Sequence, residues 1–373
     1  MIDAKLFIKT LIKNEIKFFT GVPDSLMKGF CSTIENNKSH LSAANEGSAV
    51  GLGIGYYLAE KKLPLIYLQN SGLGNIVNPI LSLVNKKVYK IPLFLLIGWR
   101  GETKTKLITS KKDEPQHISQ GEVTEDLLKI LKIKYRVINK KSKYKKIISE
   151  LKKYALKKSQ PVALLVRKNT FSNLKKKEIY KDNNFLKRKE ILKIILDNIN
   201  KKIHSVSTTG VLSRELLEMS KNNKKVNNFY CVGGMGHAIS IASGIAATKK
   251  KNKVICLDGD GAALMHLGAQ AISSKLNNII HIIINNNSHD SVGAQKTAGD
   301  NLRFDKLAKT LGYGKCFNCV NEKQIKKSLK RAIKSKSSCL IEIKSIPGFS
   351  KNLSRPNRSM IYYKNNFIKS LQK

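Results

Sequence analysis

The sequence predicts an α/β protein of two domains, each a mostly parallel sheet flanked by helices. Short apolar runs alternate with stretches of helical period, the pattern of parallel strands covered on both faces. The alternation occurs twice, and a Lys/Asn-rich stretch at 173–184 separates the two series. With 373 residues the chain has the length for two domains of about 150–200 residues each.

The first domain is expected over 1–172. Its strand candidates are 17–22, 40–44, 63–70, 91–99, 133–138 and 161–168. The chain opens on an amphipathic helix with Leu6, Ile8, Leu11 and Ile12 turned inward. Asp3, Lys5 and Lys9 interrupt its apolar content, unlike a secretory signal. The stretch 173–184 reads as a linker, and 185–373 as the second domain. There the candidates are 203–208, 227–233, 253–260, 279–286, 315–320 and 338–345, with 346–373 an irregular basic tail. No apolar window approaches the ~18 residues of a membrane span, so no membrane partner is expected.

The net charge of +43 raises nucleic acid as a partner. Only nine of the 69 basic residues are Arg, and the lysines spread over nearly every expected helix. That distribution suits a solvated surface, with a field that favours anionic small molecules; nucleic acid is not expected. The six cysteines are scattered, several of them in expected core strands, which fits a reduced cytoplasm. Cys316 and Cys319 form one CxxC without a second pair or nearby His cluster, so buried strand positions are preferred over zinc or redox work.

The most informative segment runs from Val254 to Gln295. A strand closes on Asp258, followed by Gly259-Asp260-Gly261, a helix to about residue 275, and a second strand closing on Asn285-Asn286-Asn287. A helix start offers free N–H groups and a positive dipole end, which suit a diphosphate. Gly259 and Gly261 permit close approach of the backbone, and Asp260 offers a hard oxygen to a Mg²⁺ ion bridging two phosphates. After one helix the next parallel strand returns beside the first. An Asn side chain and a following carbonyl can then complete the metal's ligands, at the strand ends where α/β folds bind cofactors.

This segment resembles the signature of the thiamine-diphosphate-dependent enzymes, GDG followed about two dozen residues later by NN. Between Gly261 and the Asn pair lie 23 residues for Asn285-Asn286 or 24 for Asn286-Asn287. Asn286 belongs to both registers. The resemblance implies thiamine diphosphate and Mg²⁺ as cofactors, with Asp260, the Asn286 side chain and the Ser288 carbonyl on the metal. Gly259, Asp260, Gly261 and Ala262 would line the diphosphate. One departure is Asn287-Ser288, where small residues are more usual. Upstream, Gly233-Gly234-Met235-Gly236-His237 resembles the family's Gly-rich turn, whose bulky apolar residue props the cofactor into a bent shape; Met235 matches by position, with core packing the other reading. In the family a Glu at a strand end hydrogen-bonds N1′ of the aminopyrimidine and so promotes loss of the C2 proton. Glu46, in HLSAANEGSAVGLGIGYYLAE, matches; otherwise it is a helix-start Glu favoured by the dipole. Gly51, Gly53 and Gly55 also raise a dinucleotide loop, but no strand runs directly into them.

The resemblance extends over nearly the whole chain to the branch of the family that decarboxylates phosphonopyruvate or sulfopyruvate. The matching stretches include FFTGVPDSLMKGFC, YLQNSGLGNIVNPI, LLIGWRGE, KDEPQH and NNNSHDSVGAQKT. It implies a small anionic 2-oxo acid as substrate, phosphonopyruvate first and sulfopyruvate next. A carboligating thiamine enzyme is the alternative, and a basic nucleic-acid binder a distant one. Arg100 and Lys296 are the candidates for the anionic tail. Ser25 and Asp24 are candidates beside the reacting carbons, and His117 and His289 for proton transfer; a solvated loop position is the other reading for each. His266 and His281 are expected to pack within helix and strand. The resemblance also implies a homodimer or larger assembly, with Glu46 of one chain and the GDG of another in one site.

Overall fold

A computed structural model describes residues 1–102, 114–172, 184–220, 227–350, 353 and 358–372. It divides into two compact units, Met1–Lys177 and Glu178–Lys373. The break falls inside the expected linker 173–184, of which only Asn184 is among the described residues.

The first unit opens with helix α1 (Ala4–Lys13), whose N-cap Asp3 accepts from the Leu6 N–H at 2.9 Å. Its buried face is Ala4, Phe7, Ile8 and Leu11, while Leu6 and Ile12 are exposed. The inward set expected from sequence was therefore half right: Phe7 is the deep anchor, edge-on to Phe30 and Phe171. The strands are β1 (Phe19–Gly21), β2 (His40–Ser42), β3 (Leu65–Gln69), β4 (Phe94–Gly98), β5 (Lys134–Ile138) and β6 (Val162–Val166). They form one parallel sheet in the order β2-β1-β3-β4-β6-β5. The helices are α2 (Lys28–Ile34), α3 (Glu46–Glu60), α4 (Leu73–Pro79), α5 (Pro115–Ile130) and α6 (Tyr144–Lys158). Alternate residues of β3 and β4 enter different cores. Leu65, Tyr67, Phe94 and Leu96 pack with Phe7 and Phe30, whereas Ile66, Leu68, Leu95 and Ile97 pack with Ile76 and Leu128.

The second unit repeats the plan. Its elements are α7 (Arg188–Asn198), β7 (His204–Ser207), α8 (Val211–Ser220), β8 (Asn227–Tyr230), α9 (Ala238–Thr248), β9 (Val254–Gly259), α10 (Asp260–Met265), α11 (Gly268–Ser273) and β10 (Ile279–Asn285). A short hairpin follows, β11 (Ser288–His289) with β12 (Gln295–Lys296). Then come α12 (Phe304–Thr310), β13 (Lys315–Cys319), α13 (Glu322–Lys334), β14 (Cys339–Lys344) and α14 (Met360–Leu371). The parallel sheet runs β13-β14-β10-β9-β7-β8. Setting the hairpin aside, this is the strand order of the first sheet. Chain order switches direction between β1 and β3, and again between β7 and β9, and the crevices at these switch points are where α/β sheets take ligands.

Two expectations are corrected here. The region after residue 346 is not wholly irregular, since α14 packs Phe367 against Phe229, with ring centroids 5.6 Å apart, and edge-on to His204. The single helix expected after the GDG is two short helices broken at His266-Leu267. Cys316 and Cys319 occupy strand positions in β13 as expected, Cys319 buried and Cys316 half-buried, on opposite faces and in different cores. No helix among the described residues is long and apolar enough to cross a membrane.

Candidate active site

In the first unit the polar residues gather at the strand ends around the switch point. After β1, Asp24 caps a single 3₁₀ turn (Ser25–Met27), accepting from the Leu26 N–H at 3.2 Å. Its side chain is fully buried. Gln69, closing β3, donates to Asp24 Oδ1 at 2.6 Å. Gly98, closing β4, leaves it room: a Cβ there would stand 1.8 Å from Asp24 Oδ2. Burial pushes the Asp24 carboxyl above its usual range, and the Gln69 hydrogen bond and the Arg100 charge pull it partly back. Arg100 follows β4, and its Nη1 donates to Ser25 Oγ at 2.9 Å. Asn70 fixes the Arg100 backbone in both directions, donating to its carbonyl at 2.9 Å and accepting from its N–H at 3.2 Å. Ser25, Asp24 and Arg100 thus form one cluster.

Glu46 begins α3 and is nearly fully buried, at 4% exposure. The surface helix-dipole reading is therefore set aside. Asn45 caps the helix through the Ser48 N–H at 2.8 Å, which aims Glu46 inward. Asn75 Nδ2 donates to Glu46 Oε2 at 2.6 Å. Gly72 passes so close that a Cβ would fall 2.3 Å from Oε1. Burial raises the Glu46 pKa, and the Asn75 hydrogen bond opposes that shift. The segment 69–75 thus serves both groups: Gln69 and Asn70 hold the Asp24–Arg100 cluster, and Asn75 holds Glu46. His117 lies in the first turn of α5, half-buried. Its carbonyl packs on Gly101, next to Arg100, where a Cβ would meet it at 1.8 Å. Asn70 also donates to Thr124 of α5, and Trp99 Nε1 to the Gly121 carbonyl at 3.1 Å, so α5 is pinned to the end of β4.

In the second unit β9 and β10 run in register, with Gly259 opposite Ile284. Asp260 and the Asn run consequently emerge side by side. Asp260 opens α10 at 1% exposure and accepts from Thr297 Oγ1 at 2.5 Å. Burial raises its pKa to about 6; Thr297 and the Asn286 backbone N–H pull it down, and the Asp290 charge pushes it up. The three asparagines separate by partner. Asn285 donates to Glu342 at 2.8 Å, towards β14. Asn286 donates to Asp290 at 2.7 Å and accepts from the Ser288 N–H at 3.0 Å. Asn287 has φ 54°, a left-handed backbone that Asn tolerates, which accounts for the departure at this position. Ser288 and His289 follow in β11, and the His289 ring lies over Gly261, where a Cβ would meet its Cε1 at 2.7 Å.

The donors gathered here, a carboxylate, an Asn amide oxygen and a nearby backbone carbonyl, are hard oxygens suited to Mg²⁺. Asn287 Oδ1 and Ser288 Oγ are buried without a hydrogen bond beside them, so the cradle fits a cation and its phosphates. The turn Gly233–His237 packs on the end of α10: Gly236, at φ 87°, leaves no room for a Cβ against Met265 and His266. Met235 is half-buried, and His237 caps α9 with its ring 4.4 Å from that of His266. His266 therefore sits at a helix break rather than inside a helix, whereas His281 is fully buried in β10 as expected. Ala262 is buried in α10. Lys296 is not brought into the cluster: it is exposed, its Nζ 2.7 Å from Asp300, while its neighbours Gln295 and Thr297 point inward.

Residues 206–343 match the family model described as the thiamine pyrophosphate enzyme C-terminal TPP binding domain, and residues 3–130 match its N-terminal TPP binding domain. The chain belongs to the thiamine pyrophosphate enzymes. Among its relatives, phosphonopyruvate decarboxylase of Streptomyces viridochromogenes is 26% identical, over 95% of this chain and 91% of that protein. The sulfopyruvate decarboxylase subunits of Methanocaldococcus jannaschii also match. The alpha subunit is 36% identical over 41% of this chain and 85% of its own length; the beta subunit is 32% identical over 43% and 85%.

Proposed function

We propose that this chain decarboxylates phosphonopyruvate to phosphonoacetaldehyde and CO₂, using thiamine diphosphate and Mg²⁺. The observation that carries the substrate reading is Arg100, clamped by Asn70 and aimed at Ser25 beside the buried Asp24. A guanidinium fork in fixed geometry suits a phosphonate. The full-length relationship to a phosphonopyruvate decarboxylase supports the same reading.

Thiamine diphosphate, when bound, supplies a thiazolium that accepts the electron pair released as the C–C bond to CO₂ breaks. This chain's residues do the rest. Asp260, Asn286 and the Ser288 carbonyl would hold Mg²⁺; Gly233, Gly234, Gly236, His237, Gly259, Gly261 and Ala262 would border the cofactor, and Met235 would support it from the Gly-rich turn. Glu46 keeps a proton at N1′ of the aminopyrimidine, a role that its raised pKa suits. Asp24, Ser25, His117 and His289 are the groups for delivering the proton that replaces CO₂. Asp24 suits it, since burial favours its protonated form. Lys296, on the surface, acts at most as a long-range attraction for the anion.

The assembly we propose is a homodimer or larger, with a site shared between copies. Beside α3 runs a groove of about 630 Å³ bordered by Leu41 and Leu52, both exposed, and by Gly51 and Gly55, which have open space beside them. An apolar exposed face of this kind suits a second copy.

Phosphorus NMR of products, with and without an added acceptor aldehyde, tests the reaction. Phosphonoacetaldehyde in both reactions supports the proposal. A carbon–carbon ligation product as the main species would assign a carboligase instead.

A further inference from the structure

Asn286 has an amide whose oxygen and NH₂ ends are nearly the same shape, so its orientation is decided by its partners. Here Nδ2 donates to Asp290 Oδ2 at 2.7 Å, and Oδ1 accepts from the Ser288 N–H at 3.0 Å. A carboxylate is acceptor-only. Facing Asp290, the NH₂ end is the only end that can bond.

Asp290 is itself held by a buried cation. Arg188, in the first turn of α7, places Nη1 2.9 Å from the same Asp290 Oδ2. Its Nε donates to Glu215 at 2.8 Å and its Nη2 to the Gly348 carbonyl at 2.7 Å. The Gly348 N–H returns to Asp290 at 3.2 Å. All three charged residues are less than 9% exposed. One guanidinium thus ties together α7, α8, the turn between β11 and β12 and the segment after β14. No other part of the mechanism uses Arg188, Glu215 or Asp290.

We infer that Arg188 and Asp290 are positioning residues that lock the Asn286 amide with its oxygen towards the cation, so that Mg²⁺ affinity is set by a charge pair outside the ligands. This rests on the proposed Mg²⁺ role of Asn286. Outer partners that orient metal ligands commonly change metal affinity by roughly 10–100-fold when removed.

The test is Asp290→Ala. It removes the acceptor that selects the NH₂ end of Asn286, while Arg188 keeps Glu215 and the Gly348 carbonyl as partners, so the selection is lost. Thiamine diphosphate binding is followed by calorimetry while Mg²⁺ is titrated, and kcat is measured at saturating Mg²⁺. The expected result is a half-saturating Mg²⁺ concentration raised roughly 10–100-fold, with kcat at saturation close to wild type. Arg188→Lys keeps the charge and loses the fork, and should move the Mg²⁺ requirement in the same direction by less. Should kcat fall at saturating Mg²⁺ with the half-saturation unchanged, the pair would be merely structural and the inference overturned. An unchanged half-saturation with unchanged kcat overturns it equally. Mg²⁺-independent cofactor binding by the wild type would overturn the parent reading, and this inference with it.

Discussion

Asn75 Nδ2 donates to Glu46 Oε2 at 2.6 Å, from the helix that follows β3 to the one that follows β2. This bond, the Asn45 cap and the close pass of Gly72 fix a buried carboxyl whose pKa is raised by burial. A carboxyl held in that way can share a proton with a ring nitrogen at neutral pH, which a solvated Glu does poorly.

Glu46→Gln should retain cofactor binding and lose turnover, because an amide keeps the hydrogen bonding but cannot exchange a proton with N1′. Hydrogen exchange at C2 of bound thiamine diphosphate, followed by NMR, checks this. Exchange at the wild-type rate would remove Glu46 from the mechanism.

Gly72→Ala should act like an indirect lesion at Glu46, since the new methyl would occupy the space of its carboxyl group. Turnover should fall by at least about tenfold, the effect of displacing a positioned catalytic group by a fraction of an ångström. Gly244→Ala, on an exposed turn of α9 with nothing near its Cβ, serves as the control and should stabilise the chain by about 0.5–1 kcal/mol. Equal activity in the two variants would contradict the close fit at Glu46.

Asp260 gives a pH dependence with a definite sign. Its folded pKa of about 6 lies above the ordinary 3.8 of an Asp carboxyl. In the cofactor-free protein the associated stability is present below about pH 4 and is lost as pH rises through 6. At about 1.4 kcal/mol per unit the difference amounts to roughly 3 kcal/mol. Mg²⁺ needs the ionised carboxylate, so cofactor binding should run the other way, weakening about tenfold per pH unit below 6. Asp260→Asn should flatten both trends, read by thermal unfolding without cofactor and by Mg²⁺-dependent cofactor retention. A wild type whose cofactor retention is equal at pH 5 and pH 7 would exclude Asp260 as the metal's carboxylate.

A shared site predicts complementation. Glu46→Gln and Asp260→Ala chains, each inactive alone, should recover part of the wild-type activity when co-assembled, because mixed dimers hold one site with neither lesion. No recovery after demonstrated subunit exchange would mean that each chain builds its own site.

The strands and the GDG–Asn element were legible in the sequence because their signals are local: continuous apolar runs, and polar residues closing them. What escaped detection rests on long-range partners. Asn70 reaches Arg100 and Thr124, Asn75 reaches Glu46, Thr297 reaches Asp260, and Arg188 reaches Asp290 across 102 residues. Asn70 and Asn75 lay in a stretch singled out from the sequence, but nothing local says which backbone or carboxylate an amide will meet. The α1 face was misjudged by about one position, since Phe7 outcompetes Leu6 for the space beside Phe30 and Phe171. The α14 helix was missed because its apolar contact with the unit is chiefly Phe367, too few inward positions to mark a period.

The central claim is that the site is built for a 2-oxo acid with an anionic tail. The direct measurement is kcat/KM for phosphonopyruvate, sulfopyruvate and pyruvate, on wild type and on Arg100→Ala. A buried donor left without its partner can cost a factor of about 10⁴ in such a comparison. Phosphonopyruvate should therefore exceed pyruvate by several orders of magnitude. Sulfopyruvate should lie between them, and Arg100→Ala should depress phosphonopyruvate turnover far more than pyruvate turnover. Equal wild-type values for phosphonopyruvate and pyruvate would contradict the account.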